Sequence, residues 1–286
     1  MTEYNFITFD VEFWFEGYLS RSILIDDEIK DRNRDVKIFQ KILDLLDRYK
    51  AKSTCFVLGR FAKEHSKLIK EISNRGHEIG SHGFDHKPIE YWLENGGKKA
   101  FINDLKKSQQ LLQDITGKPV VGHRATSWSV SNDNCSWVYD ALIEEGILYD
   151  SSLFPSSLHP YGNSSMPRKM QKIIHKNGSI YLFPAQTFSL FGVRLPTLGG
   201  FYSRVMPNII NKAIVRLLGK NYTKMVYFHP YDFDTDCPKY DGPLLFNLMR
   251  RVGLHRPFPF LEWYLSNYKT ISLQQYCENY NAIKIR

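Results

Sequence analysis

A chain of 286 residues with 43% hydrophobic content is long for one sandwich, ordinary for one barrel, and able to bury a large core. Its 38 Lys and Arg against 30 Asp and Glu give a net charge of +8, which favours phosphate-bearing ligands or an anionic membrane surface. No dense basic run or nucleic-acid motif points to DNA or RNA. Cys55, Cys135, Cys237 and Cys277 lie far apart without a Cys-x-x-Cys pair, which argues against a thiolate zinc site or disulfide framework and for reduced intracellular thiols.

The first strand is expected over 6–12, with no leader-like segment before it, and no apolar run approaches the roughly 20 residues that cross a bilayer. A cytoplasmic protein follows, within reach of the inner membrane face. Residues 13–31, aromatic and then acidic, read as a long loop over the strand's end. Val36, Phe39, Ile42 and Leu46 mark a helix, and 53–58 a strand. A helix over 61–74 stops at Arg75-Gly76, and 77–80 is the next strand.

Further helices are predicted over 103–115 and 137–145, with short strands at 118–124 and 146–150. Residues 151–178 are rich in Ser, Pro and Gly and read as irregular. The last clear strands are 179–184 and 224–229, separated by a loop around Gly199-Gly200-Phe201-Tyr202 and a helix over 208–218. Such alternation calls for a parallel sheet with helices outside it. Asp10, Glu12, His82, Arg124, Asp150 and His229 each fall at or just past a strand's C-terminal end, where barrel enzymes collect their chemistry. No Gly-x-Gly-x-x-Gly follows the first strand, so a doubly wound dinucleotide fold lacks support.

His82 and His86, four residues apart on a turn after an apolar strand, can converge on one ion. Imidazole suits Zn, Co, Ni or Fe, and a catalytic centre adds a third protein ligand while leaving one position open. Asp10 and Glu12 stand at i and i+2 of a strand, project together, and are the candidates for that third ligand.

Several ordered stretches, among them Thr8-Phe9-Asp10-Val11-Glu12, Gly80-Ser81-His82-Gly83-Phe84-Asp85-His86, Gly122-His123-Arg124-Ala125-Thr126-Ser127-Trp128 and Tyr227-Phe228-His229-Pro230-Tyr231-Asp232, resemble the polysaccharide deacetylase superfamily, also called carbohydrate esterase family four. The bacterial branch associated with exopolysaccharide gene clusters is the narrower likeness. The resemblance implies an α/β fold, a distorted, seven-stranded β/α barrel. It implies that His82 and His86 bind a divalent metal, Zn first with Co or Ni as substitutes, together with a carboxylate of the first motif. Where many members carry a second aspartate this chain has Val11, so Glu12 is assigned as ligand and Asp10 as catalytic base, with the reverse assignment open. His229 matches the general acid. Arg124 matches the residue that orients the base, although Thr126 and Ser127 replace its usual Pro-Tyr neighbours. Asp150 would orient His229, and His123 would stand behind the site with it.

The whole chain, 1–286, is then read as one catalytic domain with an irregular insertion at 151–178 and a helical, aromatic extension at 245–286. Trp128, Phe201 and Tyr202, with Trp14 and Trp92, would offer faces to sugar rings or be buried in the core. The basic and aromatic stretch 248–265 would pack as a final helix on the barrel, or lie on an anionic bilayer. The implied activity is removal of an N-acetyl or N-formyl group from an amino sugar, carried by a nucleotide- or lipid-linked intermediate of polysaccharide biosynthesis. The competing readings are a metal-independent, allantoinase-like amide hydrolase and a catalytically silent carbohydrate-binding relative.

Overall fold

The computed structural model describes residues 4–16, 31–218, 223–238 and 243–284; most of the predicted loop at 13–31 falls on 17–30, outside the described residues. Ten strands are present among the described residues: β1 (Asn5–Val11), β2 (Thr54–Val57), β3 (Glu78–Ser81), β4 (Gly122–His123), β5 (Tyr149–Asp150), β6 (Gln171–His175), β7 (Gly178–Leu182), β8 (Thr187–Leu190), β9 (Val193–Pro196) and β10 (Lys224–Phe228). Eight of them form one sheet in the order β10-β1-β2-β3-β4-β5-β7-β6, parallel throughout except for the β6/β7 hairpin, while β8 and β9 pair separately. Seven parallel strands therefore curl into a half-barrel, an α/β fold. Among the described residues no ladder joins β10 to β7. Side chains meet inside the curl instead, with Phe6 of β1 edge-on to Phe183 just past β7 at 5.6 Å.

Helices cover the outside because their apolar residues recur on one face. In α1 (Arg34–Arg48), Ile38, Phe39, Ile42, Leu45 and Leu46 are buried, and Phe39 meets Phe9 of β1 edge-to-face at 5.3 Å. The helix predicted over 61–74 is two helices, α2 (Gly59–Glu64) and α3 (Ser66–Asn74). The break falls at His65, which has left helical geometry and packs its ring on Phe61 and Phe13. After α4 (Ile89–Glu94), α5 (Gly97–Thr116) starts earlier than its apolar stripe suggests and ends at Gly117, whose φ of 69° suits a residue without Cβ. Then follow α6 (Cys135–Glu144), α7 (Gly200–Val205), α8 (Asn208–Leu217), α9 (Leu244–Arg251), α10 (Pro257–Asn267) and α11 (Leu273–Lys284).

Two expectations need correction. The segment 151–178 is not wholly irregular, because β6 pairs with β7 through a tight turn at Lys176 and Asn177. The Asn177-Gly178 dipeptide that signals such hairpins was present in the sequence. The stretch Gly199-Gly200-Phe201-Tyr202, read as loop, instead leads into α7, which begins at Gly200. The extension at 245–286 is three helices, of which α10 packs Phe260, Leu261, Tyr264 and Leu265 into the main core and α11 packs Leu273, Tyr276 and Cys277 against Phe6 and Phe183.

The inside of the curl is filled by aromatic side chains, and two strands carry glycine where those rings pass. A Cβ on Gly80 of β3 would lie 2.8 Å from the Phe56 ring, and one on Gly122 of β4 would overlap the Tyr149 phenol.

Candidate metal centre and catalytic site

Strand register brings the site together. In the parallel ladders Val11 pairs with Val57, Val57 with Ser81, and Ser81 with His123. One residue further on, at the same height, stand Glu12, His82 and Arg124, their backbones still linked by His82 N–H to Val57 O at 3.0 Å and Arg124 N–H to Ser81 O at 3.0 Å. On the other side of β1, Phe9 pairs with Phe228, which sets His229 beside Asp10.

Among the described residues Glu12, His82 and His86 form a buried group whose ligand atoms all lie within 4.8 Å of one another. Glu12 Oε2 is 2.9 Å from Nε2 of His86 and 3.5 Å from Nε2 of His82, yet no hydrogen-bond donor is aligned with it. The tautomer of His82 explains why. Its Nδ1 lies 2.8 Å from the carbonyl of Arg124, which only accepts, so Nδ1 carries the proton and Nε2 presents a lone pair to Glu12. Buried acceptors facing one another, with a neighbouring group fixing the ring, are what a divalent cation requires, and a mixed imidazole and carboxylate set suits zinc. Burial opposes the Glu12 charge, but the electrostatic pull of His86, with His82 and His229 close by, outweighs it and holds the carboxyl well below its usual range.

Asp10, two residues before Glu12, takes a different partner. Arg124 donates to its Oδ1 at 2.6 Å, and the same guanidinium is braced by Thr8 Oγ1, Ser151 O and Ser151 Oγ at 2.8–3.0 Å. Arg124 is fully buried, sandwiched 4.2 Å from the rings of Phe56 and Trp128. Asp10 Oδ2 stays 3.8 Å from Nε2 of His229, and Glu12 Oε1 is also 3.8 Å from it.

The expectation that Asp150 orients His229 is wrong. Asp150 sits on β5, far around the sheet from β10, and spends its oxygens on His123 Nδ1 at 2.8 Å and on Ser152 N and Oγ at 3.0 and 2.6 Å. His123 and Asp150 are therefore a buried pair supporting the loop after β5. The carboxylate on His229 is Asp232, whose Oδ2 is 3.1 Å from Nδ1 and accepts the His229 backbone N–H at 2.8 Å. Arg204 of α7 lies 2.8 Å from the other oxygen. Burial works against a charge on His229, but Asp232, then Glu12 and Asp10, raise its pKa above the ordinary imidazole value. The sequence carried a signal: Pro230 and an acid three residues after His229 spell a capped turn. Tyr231, also missed, stacks on His229 at 4.5 Å and donates to Glu12 Oε1 at 3.2 Å.

Asp10, Glu12, His82, His86, His229, Tyr231 and Asp232 line a cavity of about 630 Å³ together with Trp128, Phe201, Tyr202, Leu158 and Tyr161. Phe201 and Tyr202 are half-buried at its wall, whereas Trp128 is 4% exposed and spends its face on Arg124. Trp14 is fully buried and Trp92 lies outside the lining. Ser127 and Trp128 adopt φ of 56° and 54°, a left-handed conformation unusual for such residues and found here at the cavity wall.

Fold and site thus define a curled α/β half-barrel with a Glu-His-His cluster, an Asp-Arg pair and a His-Asp pair at the C-terminal face of its strands. In sequence, residues 22–141 match the family model described as polysaccharide deacetylase, and 151–278 match one described as a domain of unknown function (DUF3473). Over 22–141 the chain is therefore similar to the polysaccharide deacetylases, and the region that matches DUF3473 supplies β6, β7 and β10 to the same sheet. It is 33% identical to a peptidoglycan deacetylase of Helicobacter pylori over 122 residues, 42% of this chain and 39% of that protein. It is 46% identical to the peptidoglycan-N-acetylmuramic acid deacetylase PdaA of Bacillus subtilis over 78 residues, 27% of this chain and 28% of that protein. The matches therefore span well under half of these relatives. Among solved structures, one from Mycobacterium smegmatis named for the polysaccharide deacetylases superposes with a TM-score of 0.62 at 19% identity over 99% of this chain and 93% of that one. An allantoinase superposes at 0.60 with 14% identity over 96% and 90%. Both likenesses concern the fold alone.

Proposed function

We propose that this protein is a metal-dependent N-deacetylase acting on an N-acetylated amino sugar, with the chain working as one catalytic unit. The observation that carries the reading is the convergence of Glu12, His82 and His86, with unsaturated acceptors, on the cavity that also holds Asp10 and His229. Glu12, His82 and His86 would hold a divalent cation, zinc by preference, which supplies Lewis acidity toward water and an acyl oxygen.

The remaining work falls to side chains. Asp10, clamped by Arg124 so that one oxygen stays toward the cavity, accepts a proton from the attacking water. His229, oriented through Nδ1 by Asp232, presents Nε2 to the substrate nitrogen and donates as the C–N bond breaks, leaving acetate and a free amine. Phe201 and Tyr202 flank the sugar. The net charge of +8 supports a phosphate-linked amino sugar as the narrower substrate class.

The test is acetate release by metal-loaded protein from UDP-linked, polyprenyl-linked and peptidoglycan-derived amino sugars, before and after chelation. Loss on chelation and recovery with Zn²⁺ are expected. Turnover that survives complete metal removal would move the protein to the metal-independent hydrolases, and silence on every substrate with retained glycan binding would make it a non-catalytic relative.

A further inference from the structure

We infer that the outer face of α9 seats this protein on an anionic lipid bilayer, which deepens the deacetylase reading above by selecting a lipid-linked amino sugar over a nucleotide-linked one. Surface helices ordinarily turn apolar residues inward and polar ones outward. Helix α9 is apolar on both sides. Phe246, Met249 and Arg250 line the cavity of the candidate metal centre. Leu244, Leu245 and Leu248 face outward, 85%, 69% and 62% exposed.

Single exposed leucines need no explanation, but three within five residues on the outer side of one helix make a patch. Because one helix provides both faces, the leucines stand about 10 Å, one helix diameter, from the cavity wall. Leu158, another lining residue, is 58% exposed, so the cavity carries apolar surface on a second wall as well.

Charge selects the occupant. Arg251, in the last turn of α9, is exposed, and the whole chain carries +8. Leucines entering the acyl boundary with basic side chains at headgroup level are the pattern of an interfacial helix. A second copy seated on the leucines is the competing occupant, which the oligomeric state of the lipid-free protein decides. A nucleotide carrier gives the leucines no role. A lipid carrier does: its chain stays in the bilayer while the sugar reaches the adjoining cavity.

Co-sedimentation of the full chain with phosphatidylglycerol/phosphatidylcholine vesicles tests this. Wild type should pellet with them, and the triple variant L244Q/L245Q/L248Q should bind at least tenfold more weakly, with unchanged melting temperature and unchanged acetate release from a soluble N-acetylated oligosaccharide. Ile174→Gln, at an equally exposed position on β6 (88%), should bind like wild type. The inference is overturned if wild type stays in the supernatant, if the triple variant pellets as well as wild type, or if lipid-free wild type is a dimer that the triple variant splits. Sedimentation needs no turnover: a protein that pellets but releases no acetate sinks the deacetylase reading alone, and one that is active yet ignores vesicles sinks only the membrane seat.

Discussion

Glu12 and Glu78 are both buried carboxyls of the inner sheet, 2% and 9% exposed, one just past the end of β1 and the other at the start of β3. At the N-terminal end of the barrel, Glu78 is saturated. Tyr149 donates to one oxygen at 2.5 Å, and Thr54 Oγ1 and the Gln274 N–H donate to the other at 2.6 and 3.0 Å. Burial pushes its pKa up despite those bonds. At the opposite end, Glu12 Oε2 has no aligned donor and faces two imidazoles that push its pKa down against burial. A closed donor set makes scaffold; an open one, held charged, makes a ligand. The same contrast separates Asp150, closed by His123 and Ser152, from Asp10, which keeps an oxygen toward the cavity.

The largest expected effect attacks the open end. Asp10→Asn should lower kcat by about 10² to 10⁴ in acetate release while melting temperature and bound metal stay at wild-type levels. Equal kcat would break the assignment of Asp10 as base and leave Glu12 as the alternative.

Asp232→Asn comes next. With His229 no longer held by a carboxylate, kcat should fall about 10- to 100-fold with little change in KM. Unaltered kcat would return the orienting role to another group.

At the closed end, Glu78→Ala should leave kcat per folded molecule intact and cost about 3 kcal/mol in urea unfolding, since it strands Tyr149 and Thr54 and opens a cavity. A loss of activity without a loss of stability would blur the contrast between the two ends.

The smallest effect concerns His77, buried near Glu78, whose Nδ1 accepts from Ser53 N and Oγ. Burial, with Lys52 nearby, lowers its pKa from 6.5 to about 4. The unfolded chain binds this proton more readily, so the stability His77 contributes is complete above pH 6.5 and is lost as pH falls toward 4. About 2 kcal/mol should disappear between pH 6.5 and 5, and His77→Gln should flatten that slope in denaturation curves taken across the range.

Much of this site was legible because periodicity places it. Period-two alternation set Asp10 beside Glu12, and the four-residue spacing paired His82 with His86. Those are local relations, fixed within a strand or a turn. Asp150 shows where that reasoning stops. A carboxylate at a strand end looks the same from the sequence whether its neighbour in space is His123 or His229, and only the strand order decides. Asp232 and Tyr231 escaped for a nearer reason, since a short capped turn has too few residues to show a period. Residues 151–178 hid β6 because an exposed edge strand with Ile174 facing outward lacks the alternation that marks a half-buried one.

By itself the sequence determined which backbone stretches become parallel strands and which polar side chains stand at their C-terminal ends, since chain geometry alone dictates both. The tertiary structure decided which of those side chains find a donor and which are left open. That outcome depends on register between strands distant in the chain, on Arg124 reaching Asp10 and on the turn after β10 folding Asp232 back onto His229. Hydrogen bonding between such groups is decided by ångström-scale separations across the barrel, which a linear pattern of residue types does not encode.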